Sequence, residues 1–104
     1  MPDTLQSQDC ARLLKALADP ERLRIIECLR EGPRNVGELA DRLCQEIANV
    51  SHHLGVLRKV GLVADRKDGK YVVYSLHPKV FRPATSDRRT DCLDLGCCRL
   101  ELNR

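Results

Sequence analysis

The stretch Val36–Leu62, VGELADRLCQEIANVSHHLGVLRKVGL, constrains the fold more than any other part of the chain. Its first half places Val36, Leu39, Ala40 and Leu43 at i, i+3, i+4 and i+7, the apolar stripe of a 3.6-residue period. Its second half repeats the pattern with Val50, Leu54 and Leu57 and closes at Gly61. The spacing predicts two helices separated by a sharp turn. On a wheel at about 100° per residue with Val50 at the origin, Leu54 and Leu57 fall beside it. Asn49, His52, Val56 and Lys59 are placed on the far side. A polar stripe on a short helix held by a small apolar core is the arrangement that a helix entering the DNA major groove requires.

The segments on either side extend this pattern. From Asp9 to Ala18, Cys10, Leu13, Leu14 and Leu17 make an apolar helical stripe, and residues 1–8 before it are polar and expected to be a flexible end. Asp19-Pro20-Glu21 is a strong helix start, with Asp as N-cap, Pro at the first helical position and an acid in the first turn. That second helix runs through Leu23, Ile26 and Leu29 and ends at Gly32-Pro33. After the helix pair, 62–67 and 70–76 read as two strands joined at Asp68-Gly69, a strong hairpin signal. Arg66, Lys67 and Lys70 cluster at the hairpin tip. The expected fold is therefore mainly α with a small β-hairpin wing: a winged helix-turn-helix over residues 9–82. His77–Phe81 is compatible with a short further helix, although Pro83 restricts it. Residues 83–104 read as a cysteine-containing tail. In its last part the apolar residues alternate as Leu93, Leu95, Cys97 and then Cys98, Leu100, Leu102, which suggests extended structure with a bulge or bend at the cysteine pair. A helical reading of 91–102 stays open.

A chain of 104 residues makes one domain, and a dimer is a reasonable way to complete so small a core. Eighteen basic against fifteen acidic residues leave a formal charge of +3, so any nucleic-acid binding must come from a local patch. One Phe, two Tyr and no Trp argue against base-stacking platforms for single strands. No apolar run approaches the ~20 residues of a membrane span, and MPDTLQSQD lacks the pattern of a signal peptide. The expected location is the cytoplasm, with no membrane partner.

On the second helix of the pair, Asn49, Ser51 and His52 are the candidates for base contacts, with Val56 placed to touch a thymine methyl. Lys59, Arg66, Lys67 and Lys70 are the candidates for phosphate contacts, which would make affinity salt-dependent. His53 diverges from His52 by about 100° and leans to the core edge, so packing or hydrogen bonding suits it better than ligation. No nucleophile has a recognisable base and no glycine-rich phosphate loop is present, so an enzyme is not expected.

Six cysteines in a chain without a secretory signal point to metal binding or redox sensing rather than to a disulfide scaffold. Cys92, Cys97 and Cys98 fall within seven residues, while Cys10, Cys28 and Cys44 are scattered and read as packing residues. Thiolates select thiophilic ions. Three sulfurs without a fourth ligand suit As(III), and also Sb(III) or Bi(III). Zn(II) or Cd(II) would draw a fourth donor from Asp91, Asp94 or His77. Gly96 eases the bend needed for Cys97 and Cys98 to share an ion with Cys92, and Arg88, Arg89 and Arg99 would favour thiolates. A redox or persulfide switch on the same cysteines, and plain packing of small side chains, are the alternatives.

The runs LLKALADPERLRIIECL, VGELADRL, VSHHLGVLRKVGLV and DGKYVVYSL closely resemble the ArsR/SmtB family of winged-helix metal-sensing repressors, over roughly residues 10–76. The resemblance implies a homodimer that occupies double-stranded operator DNA and is released by a metal or metalloid ion. It also implies a first helix near the dimer interface, where Cys10 would approach the partner's tail. Many arsenic sensors of the family carry Cys-x-Cys at the start of the first helix of the pair; here Asn35 and Gly37 stand there. The C-terminal ligand pattern of the zinc sensors is missing too, whereas cysteine trios near the C-terminus occur in some arsenite-responsive members. The expectation is a repressor whose inducer, As(III) first, binds Cys92, Cys97 and Cys98. The alternatives are a repressor switched by thiol oxidation or persulfide, and, in another class, an arsenite-sequestering or thiol redox protein without regulatory DNA binding.

Overall fold

A computed structural model describes residues 4–103. Four helices lead: α1 (Thr4–Leu17), α2 (Pro20–Arg30), α3 (Val36–Leu43) and α4 (Ile47–Lys59). Strands β1 (Arg34–Asn35), β2 (Val63–Asp68) and β3 (Tyr71–Leu76) form an antiparallel sheet in the order β1-β3-β2. A second antiparallel sheet, in the order β4-β5-β6, holds β4 (Phe81–Arg82), β5 (Asp91–Asp94) and β6 (Arg99–Leu102). The expected winged helix-turn-helix is the one observed. Among the described residues no helix is long and apolar enough to cross a membrane.

Local chemistry explains most boundaries. Asp19 is extended and its Oδ1 accepts from the backbone N–H of Glu21 at 2.9 Å and Arg22 at 3.1 Å, with Pro20 entering the helix behind it. Asn35 and Glu38 close a reciprocal capping box at the start of α3: each side chain accepts the other's backbone N–H at 2.9 Å. Cys44 ends α3 in the left-handed region, at φ 53°. In the wing, Asp68 pairs with Tyr71, so the two-residue loop is Gly69-Lys70, one residue later than expected, with Gly69 at φ +63°.

The core lies where the helices meet the base of the wing. Ile25 and Ile26 of α2, Leu39 of α3, Leu54 and Leu57 of α4, and Leu62 and Val63 are almost completely buried there.

Three expectations change. α1 starts at Thr4, so helix covers residues expected to be a flexible end; Met1 to Asp3 lie outside the described residues. His77–Phe81 forms a turn rather than a helix, with Val80 and Phe81 both donating to the His77 carbonyl at 2.9 Å. Phe81 and Arg82 then join a strand, and Pro83 prevents helical continuation. The segment expected as a tail folds into the β5-β6 hairpin, and Leu93 and Leu95 belong to the main core. Its turn falls at the cysteine pair: Leu95 N–H donates to the Cys98 carbonyl at 2.9 Å and Gly96 has φ +89°.

Arg30 fastens this hairpin to α2. Its guanidinium donates to Asp91 Oδ2 at 3.0 Å, to the Leu102 carbonyl at 3.2 Å and to the Asn103 carbonyl at 2.8 Å. Both ends of the hairpin therefore meet one buried side chain.

Candidate functional site

Exposed polar and basic side chains stand on both α4 and the wing. Ser51, His52 and Lys59 are exposed on α4, and Arg66, Lys67 and Lys70 are exposed on the wing, as a duplex-binding surface requires. Lys70 Nζ lies 5.4 Å from the centre of the Tyr71 ring.

Asn49 and Val56 are placed differently. Asn49 Nδ2 donates to Glu21 Oε2 at 2.6 Å and to Gln45 Oε1 at 3.0 Å, which holds the amide against α2. Val56 is half-buried and packs on the core. Both sit about 100–120° from Val50 on the wheel, while Ala48, Gly55 and Lys59 lie about 140–180° away. The wheel angles separate those two groups, but which flank α2 would cover is a tertiary fact. Ile47 and Ala48 are both exposed in the first turn of α4.

His53 is the buried polar residue that orients the helix. Its Nε2 lies 2.8 Å from Glu21 Oε2 and its Nδ1 3.2 Å from Arg22 Nη1. A guanidinium can only donate, so Nδ1 accepts and Nε2 carries the proton toward Glu21.

The cysteines assemble in a different set from the one expected. Sγ atoms of Cys10, Cys97 and Cys98 all lie within 4.8 Å of one another, about the span of two metal–thiolate bonds of ~2.3 Å. Cys10 of α1 and Cys97 of the hairpin turn are joined as a disulfide, and Cys98 Sγ lies 4.0 Å from Cys97 Sγ. Cys92 stands apart. It is buried in the central strand β5, in register with Arg82 on one side and Glu101 on the other. Its place on β5, opposite Glu101, leaves it outside that group, while Cys10 arrives from a helix 87 residues from Cys97 in sequence. Cys10 thus meets the cysteines of its own chain. Cys44, expected to pack, is exposed at the end of α3, and Cys28 is half-buried.

The model of a helix-turn-helix domain matches residues 17–66. The chain is 44% identical over 70 residues to the arsenical resistance operon repressor of Escherichia coli, covering 66% of this chain and 60% of that protein. Reduced HlyU from Vibrio cholerae superposes with a TM-score of 0.65 at 41% identity, over 68% of this chain and 75% of HlyU. A homodimeric winged helix-turn-helix domain from Mycobacterium bovis, described as a possible ArsR-family regulator, gives a TM-score of 0.69 at 30% identity, over 76% of this chain and 75% of that one. The chain spans about three fifths of the length of the first curated relatives it matches, 59% and 62%. With a helix pair, a basic wing and these relatives in hand, the chain belongs to the ArsR/SmtB family of winged-helix metalloregulatory repressors.

Proposed function

We propose that this chain acts in the cytoplasm as a homodimeric repressor that leaves its operator when a thiophilic ion, As(III) first, binds Cys10, Cys97 and Cys98. The observation that carries the proposal is the convergence of three cysteine sulfurs within 4.8 Å, from α1 and the hairpin turn; a cellular dithiol must first reduce the Cys10–Cys97 disulfide to the two thiols that the ion binds. Three soft donors without an adjoining carboxylate or imidazole in the group suit a three-coordinate ion better than a hard cation. The similarity to an arsenical resistance repressor supports the same ion. Ser51 and His52 would face base edges, with Lys59, Arg66, Lys67 and Lys70 on phosphates. Release requires the ion to favour the DNA-free state, and a coupling of ~1–3 kcal/mol corresponds to about 5–150-fold in operator affinity.

The test is an operator titration by fluorescence anisotropy under reducing conditions, with and without As(III), and with Sb(III), Bi(III), Cd(II) and Zn(II) in parallel. Cys10→Ser and the Cys97→Ser/Cys98→Ser double variant are expected to bind DNA and ignore As(III), and Cys92→Ser to respond like wild type. A double variant that is still released by As(III) would remove the thiol group from the mechanism.

The Cys10–Cys97 disulfide supports a second reading, in which oxidation of this pair is itself the signal. Operator affinity measured after peroxide or polysulfide, and again after a dithiol reductant, separates the two: a metalloid sensor responds to As(III) in the reduced state, and a redox sensor responds without any ion.

A further inference from the structure

The first two turns of α4 expose Ile47, Ala48, Ser51 and His52. Ile47 is 56% exposed, more than any other large apolar side chain among the described residues, and it takes no part in the hydrophobic core. It lines a trough of about 410 Å³ together with Val36, Lys70, Val72 and Tyr74. The amide that could have read adenine, Asn49, is held by Glu21, and Val56 faces inward.

The N-terminal residues of a reading helix are the ones that meet base edges. Every base pair offers polar atoms in the major groove, but only thymine adds an apolar group there, its C5-methyl. Isoleucine neither donates nor accepts. Set against any other edge it would strip water from polar atoms without replacing their hydrogen bonds. Set against a thymine methyl it removes apolar area from water on both partners. We infer that Ile47 is a specificity residue that selects thymine in the operator through its C5-methyl group. The inference rests on α4 being the DNA-entering helix.

The experiment starts from a duplex selected by the wild-type chain from a random pool. It is resynthesised with deoxyuridine in place of every thymine, which deletes the methyls and nothing else. Synthetic duplexes hold no methylated cytosine, so any methyl that is read is thymine's. Anisotropy titrations under reducing conditions compare wild type with Ile47→Ala, whose exposed position leaves the fold intact, as circular dichroism checks. Wild type is expected to bind the deoxyuridine duplex about fourfold more weakly per contacted methyl, equivalent to the ~0.8 kcal/mol of one buried methylene. Ile47→Ala is expected to lose that discrimination, and Ile47→Val to keep part of it. If wild type and Ile47→Ala lose the same factor on deoxyuridine, or neither loses any, Ile47 does not read the methyl. If wild type enriches no duplex from the pool, the DNA-binding reading fails and this inference falls with it.

Discussion

His53 Nε2 lies 2.8 Å from Glu21 Oε2, and this contact ties α4 to α2. The same carboxylate oxygen accepts from Asn49 one turn earlier on α4, at 2.6 Å. Two side chains spaced i and i+4 on the reading helix thus share one acceptor, which sets the rotation of α4 and therefore which face it shows to solvent. His53→Ala would leave Glu21 and Arg22 without this partner in a part-buried site. We expect a loss of roughly 1–3 kcal/mol, read by urea denaturation, with weaker operator binding beyond what the stability loss explains. His53→Gln, which can still donate, should recover part of both. A fully stable His53→Ala variant would show that apolar packing alone orients α4.

Arg30 is the corresponding fastening for the C-terminal hairpin. Burial alone would lower its pKa, but the hydrogen bonds it donates to Glu27 and Asp91 outweigh this and raise it, so the cation is held firmly. Its side chain is 9% exposed and that of Asp91 21%. Arg30→Met should destabilise the fold by about 2–4 kcal/mol, somewhat below the cost of breaking a fully buried pair. Hydrogen exchange should show β5 and β6 opening before α3 and α4. Loss of protection spread equally over the chain would argue against a local clamp.

Asp19 predicts the acid limb of stability. Its carboxylate is held below the ordinary value of 3.8, first by the backbone N–H of Arg22 and against the opposing effect of burial. A depressed folded-state pKa contributes stability that is fully present above 3.8 and is lost as pH falls through the lower folded value. Asp19→Asn keeps a capping oxygen but cannot titrate. The difference in urea midpoint between wild type and Asp19→Asn should therefore be constant from pH 5 to about pH 7 and shrink below pH 4. A difference that does not change with pH would exclude Asp19 from the acid limb.

Cys44 is the one non-glycine residue among those described with positive φ, at 53°, and its side chain is exposed. Left-handed backbone costs an ordinary residue roughly 1–2 kcal/mol, part of which glycine would give back through its freer unfolded chain. Cys44→Gly should stabilise the protein by about 0.5–1 kcal/mol, seen as a higher thermal midpoint, because no packing is lost. It should also leave As(III) release unchanged.

What the sequence determined by itself is the local part of the molecule. Asp19-Pro20 starts a helix, Val36 to Leu43 and Val50 to Leu57 carry helical stripes, and an Asp-Gly pair marks a hairpin, because each signal is complete within a few residues. The alternation broken at Cys97-Cys98 suggests a bulge or bend where the hairpin turn falls, without choosing between strand and helix for 91–102. Only the tertiary structure decided which residues meet. Cys10 meets Cys97 across 87 residues, with Cys98 beside them, and Cys92, close in sequence, stays outside the group on β5. Asn49 is held by Glu21 of α2 and Val56 packs on the core, and a helical wheel gives angles without saying which flank is covered. Periodicity is a property of one element; a site is a property of several, and its members are chosen by packing.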